Sequence, residues 1–243
     1  MKNTAALLLF LSTAIPLLSQ ETGKSYPLLA VKYSPTSLFN PYTGTFLTGI
    51  EIWPSEKMNF QFEYGHQFLA FNDKDWSRDK EQQFYRKYKF GLRYHYYQNF
   101  RQPPLLFYLF WWNALLPPGR RRFIGFDFIA FPQSYVDNNG RVLLEDGTAL
   151  AYTQAKINKN AVAATLVLGS QIPLGKGFFA ELYAGIGVKW KNVAHELDPM
   201  LTTPISSFSV SFPYDFSPDN VDGRHALPYV DFGIKFGFGF LEK

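Results

Sequence analysis

Side chains able to do chemistry are few in this sequence, and they are scattered. The four histidines are His66, His95, His195 and His225. None sits at a close metal-ligand spacing such as His-x-x-x-His, and the chain has no cysteine, so zinc ligation lacks its usual partners. The missing thiols also exclude disulfides, thiol catalysis and a lipoprotein anchor. A lipid-modifying enzyme at an outer leaflet would need a histidine beside a serine or an acid. His66, His225, Ser134 and Asp222 are the candidates for that rim, and no spacing links them. Asp73-Lys74-Asp75 and the acids Asp215, Asp219 and Asp222 invite a calcium reading, but neither cluster fits a standard calcium loop. Gly185-x-Gly187 lacks the following helix that a phosphate loop needs. No catalytic residue, metal or cofactor is expected from these patterns, and the chain is read as a non-enzyme.

The elements that carry these residues are strands. Aromatic residues make up 19% of the chain, with 25 Phe and 15 Tyr, yet no internal segment supplies the ~20 apolar residues of a spanning helix. Aromatics in that number suit a pleated surface. The net charge of +4 is spread thinly, with Arg120, Arg121 and Arg122 its densest run, which does not suit nucleic acid. Residues 1–20 differ from the rest. Lys2, the apolar run Ala5–Leu11 and the boundary at Ser19-Gln20 read as a cleaved secretory signal peptide, with an uncleaved anchor helix as the alternative. Residues 21–243 then form one domain.

Period-two alternation runs through that domain. From Leu227 to Phe240, Val230, Phe232, Ile234, Phe236, Phe238 and Phe240 share one face, while Asp231, Gly233, Lys235, Gly237 and Gly239 share the other. The same split recurs in 58–68, 83–97 and 178–190, and more weakly in 28–34, 45–53, 123–131 and 160–171. About eight strands result, several long enough to cross a bilayer at a tilt. Tight turns at 54–57 and 173–177 alternate with longer polar connections at 35–44, 72–82, 132–159 and 191–226. Short inner turns and long outer loops are the pattern of transmembrane barrels. Residues 98–122 break it, because a long apolar insert stands where a short turn belongs. That insert is either an interfacial segment, with Trp111 and Trp112 at the headgroups and Arg120, Arg121 and Arg122 on lipid phosphates, or a strand over 105–112.

Sidedness separates a membrane barrel from a soluble one. The polar face carries glycines 49, 65, 91, 125, 169, 185, 187, 233, 237 and 239, and small residues belong inside a narrow bore. The bulky aromatic face belongs outside, where lipid accepts any size. The lumen would then hold Lys32, Glu51, Glu63, Lys87, Lys89, Arg93, Asp127, Glu181, Lys189, Asp231 and Lys235. Charges in so narrow a space must pair. They form either a salt-bridge plug, the favoured reading, or a gated ion path or binding pocket.

The closing stretch Tyr229–Phe240 resembles the last strand of outer-membrane barrels. The hairpin Leu168–Phe179, followed by Tyr183-Ala-Gly-Ile-Gly187, resembles small barrels of Bacteroidetes-type bacteria, as does Val31-Lys-Tyr-Ser-Pro35 with Leu38-Phe-Asn-Pro41. These are similar in architecture to the OmpA/OmpX-like barrels. The resemblance implies an all-β, antiparallel transmembrane barrel in the outer membrane of a Gram-negative bacterium. It also implies Phe240 as the signal read by the barrel-assembly machinery. The expected role is structural or partner-binding, through the outer loops or the 98–122 segment. Alternatives are a narrow channel for small solutes and a lipid-modifying enzyme.

Overall fold

The computed structural model describes residues 27–39, 45–67, 80–97, 121–206 and 220–242. The expected signal peptide, Trp111, Trp112 and Arg120 lie outside the described residues, as do Asp73, Asp75, Asp215 and Asp219. The strands are β1 (Pro27–Ser34), β2 (Thr45–Ser55), β3 (Met58–Gln67), β4 (Lys80–Tyr97), β5 (Arg121–Leu143), β6 (Ala149–Gly175), β7 (Phe178–Leu197), the short β8 (Thr202–Pro204) and β9 (Gly223–Glu242). Among the described residues no helix is long and apolar enough to cross a membrane.

Each consecutive long strand pairs antiparallel with the next, and β9 pairs with both β7 and β1. Eight strands therefore close into a ring, while β8 adds only a short extension along β6. Closure leaves none of the eight with an open edge over its paired length, as a barrel in lipid requires. The stagger can be read from one row of partners: Tyr33, Thr48, Tyr64, Tyr88, Ala130, Val162, Trp190 and Ala226. On return to β1, Tyr33 faces Phe236 instead, ten residues from Ala226 along β9. A closed sheet with such a stagger has strands tilted by roughly 40°.

The inward rows carry the charges and the glycines. Glycine is required where two inward residues meet across a pair. A Cβ on Gly91 would lie 2.7 Å from the Asp127 carboxylate and 3.2 Å from the Arg93 guanidinium. The outward rows are apolar and exposed, with Phe232 at 73% and Val230 at 61%. Along β7 the apolar outward row runs from Phe178 to Trp190, about 40 Å of strand and roughly 30 Å of height at that tilt. That matches a hydrocarbon core.

One expected loop is not a loop. Residues 132–159 continue β5 and β6 as a long hairpin that turns only at Leu144–Thr148, and β7 runs on to Leu197 beside it. The Asn138-Asn139-Gly140 run that looks like a hairpin turn lies within β5. Asn139 takes φ 59° there, and the Tyr152 ring covers Gly140, so the glycine makes room for an aromatic. We call this projecting part, with β8, the outer blade.

The faces exchange character along these strands. On β6 the outward row reads Lys156, Asn158 and Asn160, then Val162, Ala164, Leu166 and Leu168. On β7 it reads Trp190, then Asn192, Ala194 and Glu196. The change falls at paired positions, since Val162 faces Trp190 and Asn160 faces Asn192. Beyond that line apolar residues are buried: Tyr135, Ile157 and Val193 form one cluster, and Val142, Tyr152 and Ala155 another.

Candidate functional site

Ten of the eleven expected lumen charges are buried in the described barrel, and Lys189 is half-buried. Their parity forces this: each sits on an inward row, facing the other inward side chains of a narrow bore. Geometry divides most of them into two nets. In the first, Lys32 contacts Glu51 at 2.6 Å and also binds Glu181. Lys235 contacts Glu63 at 2.5 Å and Glu181 at 3.7 Å, and donates to the Gln61 side-chain oxygen at 3.3 Å. In the second, Lys89 lies between Asp127 at 2.7 Å and Asp231 at 2.6 Å, and Arg93 contacts Asp127 at 2.5 Å. Tyr183 stands between the nets, with the Lys89 and Lys235 ammonium groups 4.5 and 4.6 Å from its ring centroid. The nets tie together every ring strand except β6, whose inward residues here, Ala163, Thr165 and Val167, are small or apolar. Lys87 and Lys189 lie outside the nets, 5.6 Å from the Phe131 ring and 5.8 Å from the Tyr229 ring.

At the end of the barrel where Pro27 pairs with Glu242, a second cluster lines the bore. Trp53 and His95 lie with ring centroids 4.3 Å apart, and the Arg121 guanidinium covers Trp53 at 3.9 Å. Asn59 joins His95 at 2.8 Å and also bonds Glu51, linking this cluster to the first net. Arg121 corrects the expectation that it faces lipid phosphate. β5 turns Phe123, Gly125 and Asp127 inward, so Arg121 must point inward too, and it donates to the Glu56 carbonyl. Arg122 has the outward parity but is buried, opposite Tyr96. Tyr183, Trp53 and Asn59 escaped the charge-based reading of the lumen. Their inward parity was the available signal.

The outer blade holds the other polar site. His195 Nδ1 lies 2.5 Å from Asp222, and the His195 backbone N–H donates to the same carboxylate at 3.1 Å. Asp222 reaches there because its N–H donates to the Leu143 carbonyl at 2.9 Å, while the Leu143 N–H donates to the Asn220 carbonyl at 2.9 Å. The return segment before β9 thereby ties to the hairpin. Tyr152 donates its hydroxyl to Asp137 at 2.7 Å. Burial, then the Asp137 carboxylate, pushes the Tyr152 phenol up, so it remains a donor at neutral pH. Of the four rim candidates, Asp222 is engaged by His195, and His225 donates to the Val221 carbonyl at 3.0 Å. His66 and Ser134 face outward on β3 and β5, opposite Arg86 and Phe84. Among the described residues no group of three His, Asp or Glu is placed to hold a metal.

No family model and no curated protein matches the chain. One solved structure, the crystal structure of Acinetobacter baumannii CarO, is similar over 88% of this chain and 98% of its own, at 10% identity and a TM-score of 0.36. A likeness this loose carries no functional information. The barrel is established by its own strand pairing.

Proposed function

We propose that this chain is an outer-membrane barrel of a Gram-negative cell, with a bore closed by ion pairs and an outer blade that docks a partner macromolecule. The observation that carries this reading is the exchange of faces along β6 and β7. A soluble barrel keeps one sidedness throughout. Here the apolar residues face out only over a height of roughly 30 Å, then face in. That is the pattern of one strand passing from lipid into water. Inverting the barrel would set Lys89, Arg93 and their partners against lipid, at about 2–4 kcal/mol for each cation near the midplane. Phe240, exposed near the end of β9 and paired with Leu29, is the assembly signal on this reading.

The blade carries a polar outer surface and presents the exposed residues Met200 and Leu201. Such a surface suits recognition better than transport. An epitope inserted between Asp146 and Gly147 should be reached by antibody on intact cells. Labelling only after permeabilisation would place the blade on the wrong side. In planar bilayers the purified protein should show no steady conductance, because the nets fill the bore. A stable open level would favour a channel.

A further inference from the structure

Nearly every inward lysine and arginine within the membrane band is matched to an acid or lies against an aromatic ring; one outward cation there has a ring beside it but no acid among the described residues. Arg86 projects from β4 on the lipid-facing row, and His66 lies directly opposite it on β3. Both are exposed, and among the described residues Arg86 has no acidic partner. Its guanidinium stands 4.9 Å from the Phe84 ring centroid and beside the Tyr88 hydroxyl. His66 is flanked by Tyr64 and Phe46, with ring centroids 6.4 and 6.1 Å away. Tyr64 and Tyr88 pack at 5.4 Å, one outward step nearer the midplane. Below them an apolar groove of about 290 Å³ runs over Val31, Thr48, Gly49, Ile50, Phe62 and Tyr64.

A cation on this wall costs least near the interface, and the cost falls further when a lipid anion pairs with it. Arginine stays charged there and presents a planar fork that matches phosphate oxygens. The ring nitrogens of His66 add a donor on the neighbouring strand. The tyrosine pair supplies the amphipathic belt of a headgroup region, and the groove continues inward as a bed for an acyl chain. We infer that Arg86 and His66 hold the phosphate of an outer-leaflet lipid headgroup, with one of its acyl chains in the Thr48–Tyr64 groove. This rests on the outer-membrane reading above.

The test uses the full mature chain in nanodiscs of phosphatidylethanolamine containing either phosphorylated lipid A or lipid A stripped of its phosphates. After mild delipidation, native mass spectrometry counts the retained lipid A. Wild type should retain the phosphorylated form, and Arg86→Gln should lower retention about tenfold or more, the loss expected for one charge-assisted hydrogen-bonded pair. Lys156→Gln, on the blade, should leave it unchanged. Equal retention of both lipids by wild type, or full retention by Arg86→Gln, would overturn the site. If Arg86→Gln fails to fold, the two-lipid comparison on wild type still decides. A heat-dependent gel shift on the same samples reports the barrel itself, so equal retention of both lipids by wild type with the shift intact overturns the site and leaves the barrel standing.

Discussion

The inner and outer halves of β6 belong to one strand and both lie between β5 and β7 from Ala155 onward, yet they bury opposite kinds of residue. Inside the membrane band the strand turns Thr165 and Ala163 toward the charged lumen and Val162 and Leu166 outward. In the blade it turns Ile157 and Ala155 inward and Lys156 and Asn158 outward. The backbone is the same in both halves, so the solvent around the strand decides which face carries the apolar side chains. In lipid the polar groups must satisfy one another inside; in water the apolar groups must. The two halves therefore tolerate opposite changes.

The largest difference should appear when one ion-pair partner is removed from each half. Asp127→Ala strips a fully buried carboxylate that serves both Lys89 and Arg93, and should cost about 3–5 kcal/mol in denaturant unfolding. Glu196→Ala breaks the Lys156 pair, whose side chains are 44% and 58% exposed, and should cost less than about 1 kcal/mol. Equal costs would mean that the lumen is hydrated. A smaller difference should follow from adding an outward cation. Phe90→Arg, within the band, should cost about 2–4 kcal/mol, whereas Asn160→Arg, just beyond it, should cost about 0–1 kcal/mol, both from unfolding in lipid vesicles.

The smallest effect is at the blade tip and depends on pH. The Asp146 carboxylate accepts the Thr148 N–H at 2.8 Å, and that bond holds its pKa below the ordinary range. A carboxylate depressed in the folded state adds stability above its unfolded value, about 4, and loses it as pH falls through the lower folded value. Protection of the Gly147 and Thr148 amides, measured against their intrinsic exchange rate at each pH, should therefore fall in acid while the barrel strands stay protected. Asp146→Asn should remove that acid dependence.

The closed ring, and with it the inward parity of its charged residues, was legible because alternation stays in one sense within the band. Phe232 and Asp231 announce their faces by type alone. The blade was not legible for the same reason. At Asn160 and Asn192 the alternation reverses sense, so polar residues on the outward row read as loop. Within β5 the glycine of Asn138-Asn139-Gly140 makes room for the Tyr152 ring, a partner on β6 that local sequence does not show. Arg121 was misplaced because a run of arginines reads as a unit, whereas a strand sends successive side chains to opposite faces. The His195–Asp222 contact joins β7 to the return segment before β9, and no local pattern could show it.

Because the chain has no cysteine, one introduced thiol can be labelled alone, and this gives the most direct test of the exchanged faces. A fluorophore at Phe232→Cys and another at Lys156→Cys should be examined in vesicles with a lipid-borne quencher and with a water-soluble one. The label at 232 should be quenched from the lipid and shielded from the aqueous quencher, and the label at 156 should behave in the opposite way. Aqueous quenching at 232 with none from lipid would mean that the aromatic face meets water, and the membrane barrel would have to be abandoned.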